Sequence, residues 1–480
     1  MFKLILLLSL SFTVRAYTEF DTTCTTPNVT TNFVSSPDSR GTLDILWSCL
    51  FTIIACTWTI QHLNVPEERN GRNPGWIGDI KWGLKRTCTS AKWMIVTMLA
   101  PELVLSKAWE ELVVAQSDLK ALQKLAGEDG TEWTLTHSLF ANMGGFVIRG
   151  NTGQELQALE KTHNESTPLT GPSVTDEREQ ITKASSSAPL VSSRQIAIPR
   201  DQTHALGHCD PFHLTAAGIF RLRTSGQLPK MPLISADDIN DKSKTDSFAR
   251  VISVAQITWI VAQVLTRVAR RLAVSQLEIA VVAFSACAII IYILHWKKPK
   301  SVLIPCTVLT FPGPIPLEIT RKESIIEKRA SNLQEFFGGA GVVRRSPLQE
   351  NGRPIPNDVV PESLARGEDT VYCFFLGLGL GCSVFGGIHV AAWNFTFPSK
   401  VELILWRVTS IYCTFFFGLF ILQSVLLDRF KWFQARMARL VSSLYVLARV
   451  FTIVEMFRTL CFLPPDAYTS TWATNIPHLA

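Results

Sequence analysis

Five long apolar runs govern what this chain can become, at residues 43–63, 272–296, 372–393, 403–427 and 440–463. A bilayer's hydrocarbon core is about 30 Å thick, and a helix crosses it in roughly 20 residues. Each run meets that length. Backbone amides find no water in hydrocarbon, so runs of this kind cross as helices. The expected fold class is an all-α membrane protein with about six transmembrane helices, interfacial amphipathic helices and a partly disordered cytosolic loop. Composition agrees, because 47% of the residues are hydrophobic and 18% charged, below the roughly 25% charged of soluble domains. Trp47, Trp58, Trp296, Trp393 and Trp406 lie near run ends, where amphipathic rings favour the interface.

The chain opens with Met1-Phe2-Lys3, an apolar stretch to Val14, then Arg15-Ala16. One early positive charge and an apolar core too short to span predict a signal peptide over 1–16, cut after Ala16. Residues 17–42 then form an exported segment, in which Asn28-Val29-Thr30 is a glycan acceptor. The first span is 43–63. Arg69, Arg72, Lys81, Lys85, Arg86 and Lys92 follow it, which marks 64–247 as cytosolic by the bias of lysine and arginine toward that side. Lys297, Lys298 and Lys300 place the loop 297–370 there too. The three spans within 371–463 follow, and the tail 464–480, without lysine or arginine, is exported.

These assignments agree only if 248–296 is a hairpin of two spans. The second of them is the run 272–296. The first is 248–266, apolar apart from Gln256 and Gln263, and it leaves Arg267, Arg270 and Arg271 in an exported turn against the same charge rule. The competing arrangement lays 248–266 in the interface and leaves five spans.

Between spans, 93–99 is apolar but stops at Pro101-Glu102, a pair that suits a fresh helix start. Leu105, Trp109, Leu112, Leu119 and Leu122 recur at near-helical spacing up to a C-cap at Gly127. This predicts an amphipathic helix docked on the inner surface. Residues 150–205, rich in Ser, Thr and Pro, read as a disordered insertion. Ser235-Ala236-Asp237-Asp238 reads as a capping box opening a helix toward 250.

Ionisable groups inside apolar runs are the candidate site residues, because charge in hydrocarbon is costly unless paired or wetted. They are Glu278, Arg407, Arg449, Glu455 and Arg458. Glu455 and Arg458 stand three apart on one helix and pair within it, while Arg407 has Glu278 or Glu455 as a partner from a neighbouring helix. Either these groups line a polar pathway or they fix helix register, and register is the favoured reading. Gly377 and Gly381 make a GxxxG step for close helix packing, with packing inside the monomer favoured.

His204, His208, Cys209 and His213 cluster without the paired spacing of a zinc site. Asp237, Asp238, Asn240 and Asp241 lack the glycine and closing glutamate of a calcium loop. No HExxH, Walker loop or GxSxG elbow is present, so no catalytic residue, metal or cofactor is expected.

The stretches Leu43-Asp44-Ile45-Leu46-Trp47-Ser48-Cys49, His62-Leu63-Asn64-Val65-Pro66, Asn142-Met143-Gly144-Gly145-Phe146, Asp241-Lys242-Ser243-Lys244, Gln276-Leu277-Glu278 and Leu405-Trp406-Arg407 resemble an uncharacterised family of fungal multi-pass membrane proteins. The resemblance implies a shared fold and a fungal origin, and it carries over no activity. Expected partners are the lipid bilayer and cytosolic proteins, with no nucleic acid. Two functions remain open: a membrane scaffold or sensor with partner-binding cytosolic loops, or a transporter or channel built on the intramembrane Glu and Arg residues.

Overall fold

The structure is a computed structural model describing residues 39–69, 73–150, 211–243, 247–313, 315–316, 319, 354–358, 363–364, 370–426 and 429–471. The signal peptide, Asn28, most of the 150–205 insertion, His204, His208 and Cys209 lie outside those residues. In chain order the elements are α1 (Thr42–Thr59), α2 (Trp76–Leu99), α3 (Pro101–Asp129), α4 (Leu135–Asn142), β1 (Phe146–Gly150), β2 (Phe212–Leu214), α5 (Ala216–Thr224) and α6 (Ala236–Asp241). There follow α7 (Ser247–Ala269), α8 (Gln276–Leu294), β3 (Cys306–Phe311), α9 (Thr370–Val390), α10 (Lys400–Leu426) and α11 (Lys431–Arg458).

Among the described residues six helices are long and apolar enough to cross a membrane: α1, α7, α8, α9, α10 and α11. Consecutive members of this set alternate in direction. At one end Arg40 before α1 meets Glu278 of α8, Gln276 Nε2 donates to the Thr396 carbonyl at 2.9 Å, and Ser39 bridges Thr469. We call this the terminal end. At the other, Lys300 Nζ donates to the Thr59 carbonyl at 2.6 Å and Tyr292 to the same oxygen at 3.3 Å.

A small layer caps that second end. Its sheet runs β2-β1-β3, with β1 antiparallel to β2 and parallel to β3. A separate core of Phe140, Phe146, Phe212, Leu214, Ile219 and Met231 packs around it. The all-α expectation therefore needs this addition. The strands were illegible because β2 has three residues and β1 is buried on both faces, so neither shows the alternation that identifies a strand. The turn into β1 requires glycine at Gly144, whose φ is 84°. Gly145 lies flat against the Phe140 ring.

The helix after Pro101 also departs from expectation. It is not spread on a surface, because its first turns pack between α8 and α9. A Cβ on Gly377 would sit 2.8 Å from Ser106 Cα, and one on Gly381 2.8 Å from Glu102 Cα. The GxxxG step is thus filled by α3 of the same chain. Gly386, on α9, faces Thr414 of α10. The helix continues past Gly127 and is capped at Gly130, φ 68°, in the left-handed region. Ser235 caps α6 as the sequence indicates, through a reciprocal bond with Asp238. That helix ends at Asp241, well short of 250.

Candidate functional site

The polar interior of the bundle is built around a break between two helices. Apolar residues up to Leu99 extend α2, and Pro101, which has no amide hydrogen and fits a first helical turn, restarts the chain as α3. The two axes differ by 108°. The break frees the Leu99 carbonyl, and Arg449 of α11 takes it, with Nη2 donating at 3.0 Å and Nε at 3.3 Å. Glu102, fully buried, follows on the first turn of α3, where negative charge meets free amide hydrogens. The Tyr445 hydroxyl donates to its Oε1, and Arg449 Nε lies 3.8 Å from the same atom. Glu102 Oε2 is buried with no hydrogen-bond partner among the described residues. Arg449 also stacks 4.1 Å from the Phe385 ring centre.

Toward the terminal end, Glu278 is both a helix cap and one half of an ion pair. It closes the capping box with Ser275 and receives the Arg40 guanidinium through bonds of 2.7 and 3.2 Å. Arg40 also holds the Ala467 carbonyl at 2.7 Å. Arg267 lies alongside and donates to the carbonyls of Ala273, Asp466, Ala467 and Thr469. Of the three arginines that count against an α7 crossing, Arg267 is 1% exposed and saturated by backbone oxygen, while Arg270 and Arg271 are exposed. A second group joins Arg458 to Glu402 of α10 and, at 3.6 Å, to Glu455 on its own helix.

Toward the sheet end, Glu111 of α3 gathers Lys107, His295 and Lys298. His295 Nε2 donates to Glu111 Oε2 at 2.9 Å and Lys298 Nζ at 2.8 Å. Burial pushes the His295 imidazole down to about 4 and the Lys298 ammonium down to about 8. At neutral pH, His295 is thus an uncharged donor and Lys298 still a cation. His62 packs 4.7 Å from the His295 ring and is held well below the usual histidine range, again by burial first.

Of the five sequence candidates, Glu455 and Arg458 meet as expected. Glu278 meets Arg40, a residue ahead of the first span, and Arg449 meets Glu102. Arg407 reaches neither Glu278 nor Glu455. It donates to the Trp393 carbonyl at 2.9 Å and to Asn394 Oδ1 at 3.3 Å, capping the turn between α9 and α10. Sequence reasoning missed Glu102, Glu111, Arg40, Arg267 and Glu402 because all lie outside or at the ends of continuous apolar runs. The apolar stretch 93–99 meeting Pro101-Glu102 was the one available signal, that of a broken apolar helix. Among the described residues no group of three potential metal ligands occurs. His213 instead hydrogen-bonds the Gly144 carbonyl at 2.7 Å.

Chemically, acid and base meet at each of these four places inside the bundle, and each meeting ties together segments distant in sequence. Losing one member leaves its partner buried and uncompensated, the costly case for charge in a protein interior.

Fold and site together define a mostly helical protein with six apolar candidate spans, laced by buried ion pairs and capped by a small sheet layer. The chain belongs to a family of unknown function (DUF8562), whose family model matches residues 10–168 and 199–314. The match includes α1 to α8 with the sheet and ends before α9. No curated protein and no solved structure matches the chain.

Proposed function

We propose that the chain is an integral membrane protein acting as a scaffold or sensor, its six apolar helices crossing the bilayer and its sheet layer presenting partner-binding surface to the cytosol. The observation that carries this reading is that Glu278, Arg407, Arg449, Glu455 and Arg458 all find partners within the protein. A charge kept for a moving ion has to leave its partner. Glu278, Arg407 and Arg449 are each held through two bonds, and Arg458 pairs with both Glu402 and Glu455. The cytosolic side follows from Lys81, Lys85, Lys92, Lys297 and Lys300 around the sheet end. On this reading residues 1–16 direct the chain into the secretory pathway of a fungal cell, and Asn28 carries a glycan.

A photo-crosslinking residue at Ile304, 69% exposed on the sheet layer, tests the proposal against the same probe at Ile404, 57% exposed on α10. Discrete protein adducts from position 304 and lipid adducts from 404 are expected. Lipid adducts at both positions would overturn the scaffold reading.

The transporter alternative draws on one feature. The helix break at Leu99–Pro101 sets a buried carboxylate with a free oxygen against an arginine deep in the bundle, and interrupted helices of this sort build ion sites in transporters. Proton or cation flux in proteoliposomes that is abolished by Glu102→Gln would establish it. The scaffold reading expects flux no greater than in protein-free vesicles.

A further inference from the structure

A cavity of about 320 Å³ opens where α1 ends, between the loop 61–67, one face of α2 and the segments 300–303 and 354–357. Much of its wall is apolar, including Trp58, Leu63, Val65, Trp82 and Val302. Set into that wall are three cations, Lys85, Arg86 and Lys300, against one carboxylate, Glu67. Lys85 is held by Glu67 at 2.6 Å and Lys300 by the Thr59 carbonyl. Arg86 makes no hydrogen bond or ion pair among the described residues.

Two more polar groups on the wall lack partners. Asn64 is 5% exposed; its amide nitrogen bonds the Ile355 and Pro356 carbonyls, yet its Oδ1 accepts nothing. The Gln61 Nε2 is likewise buried and unpartnered among the described residues. The Asn64 and Gln61 side chains thus set polar groups into the wall, and with the exposed Arg86 and with Lys85 beside them the cavity suits a polar, anionic occupant.

The opposite face of α2 shows where that occupant comes from. Trp76, Ile77, Ile80, Leu84 and Ile95 form an exposed apolar stripe, flanked by Lys81 and Lys92. An amphipathic helix with an apolar stripe and lysine margins lies in the plane of an anionic bilayer surface. The cavity therefore opens at the depth of lipid headgroups, behind a helix that itself faces lipid.

We infer that this cavity binds one anionic phospholipid of the leaflet at the sheet end, its phosphate at Arg86 and Lys85 and its glycerol end toward Asn64 and Gln61. The inference rests on the membrane placement proposed above, though not on the choice between scaffold and transporter.

The test uses the full chain reconstituted in lipid nanodiscs, released into detergent, and read by native mass spectrometry for retained lipid. Phosphatidylglycerol is expected at one per chain in preference to phosphatidylcholine. Arg86→Gln is expected to lower that retention about tenfold, the loss of one charge-assisted hydrogen bond to the phosphate. Lys92→Gln, on the same helix outside the cavity, is expected to leave it unchanged. Equal retention of the two lipids overturns the inference, as does an equal loss in both variants, which marks general surface charge. Displacement by millimolar glycerol 3-phosphate overturns it in favour of a soluble phosphate site. Failure of the chain to resist alkaline extraction from vesicles would instead defeat the membrane placement itself.

Discussion

At the scale of single residues, the fold depends on charges that are buried in pairs. Glu278 is 1% exposed and meets Arg40, which is 14% exposed. Arg40→Ala strands the carboxylate, with an expected loss of about 3–5 kcal/mol. Chemical or thermal unfolding in detergent measures it, and replacing both residues by methionine is expected to recover most of the loss. A pH effect arises at His295, whose folded pKa lies at about 4 against an ordinary 6.5. Below about pH 6.5 the unfolded chain takes up a proton that the folded one refuses, so stability falls as pH drops through that window toward 4. His62, shifted in the same direction, adds to the effect. Melting temperatures at pH 7.5 and 5.0 are expected to differ in that order, with a smaller difference in His295→Asn.

At the scale of elements, α9 works as a spacer thin enough to let α3 and α10 approach on two sides. Gly381→Ala places a methyl 2.8 Å from the Glu102 backbone, where relief requires moving a helix rather than a side chain. An overpacking loss of about 1–3 kcal/mol is expected. Gly387→Ala, with open space around the new methyl, is expected to be neutral or mildly stabilising. Equal unfolding midpoints for the two variants would refute the packing account. The GxxxG spacing was readable in the sequence, but its partner was not. Nothing in the order of residues says that the helix starting at Pro101 leaves the surface and enters the bundle. Glu110, Glu111, Asp118 and Lys120 stand between its apolar positions in the sequence, yet the three acids are buried and only Lys120 is exposed.

At the scale of the whole molecule, the described chain begins and finishes at the same end. Arg40 donates its amide to the Tyr468 carbonyl at 2.9 Å, and Ser39 bridges Thr469. An even number of crossings follows if the six apolar helices span. A glycosylation site appended after Ala480 is then expected to be modified whenever Asn28 is. Modification at only one of the two positions would mean an odd number of crossings, either with α7 not spanning or with α2 and α3 together forming a seventh, broken span.

Apolar run length made five of the candidate spans legible without coordinates, because the thickness of hydrocarbon sets a threshold that local composition alone can meet. The sixth was legible only as a choice, since Gln256, Gln263 and Arg267 weighed against it. Tertiary structure packs that helix into the bundle and surrounds Arg267 with four carbonyls, three of them from residues about 200 positions away. It also decided which acid meets which base, which helix fills the glycine step and how three short strands close the sheet end. Pairings of that kind depend on distance in space between segments far apart in the chain. Hydropathy and spacing report only on neighbours along it.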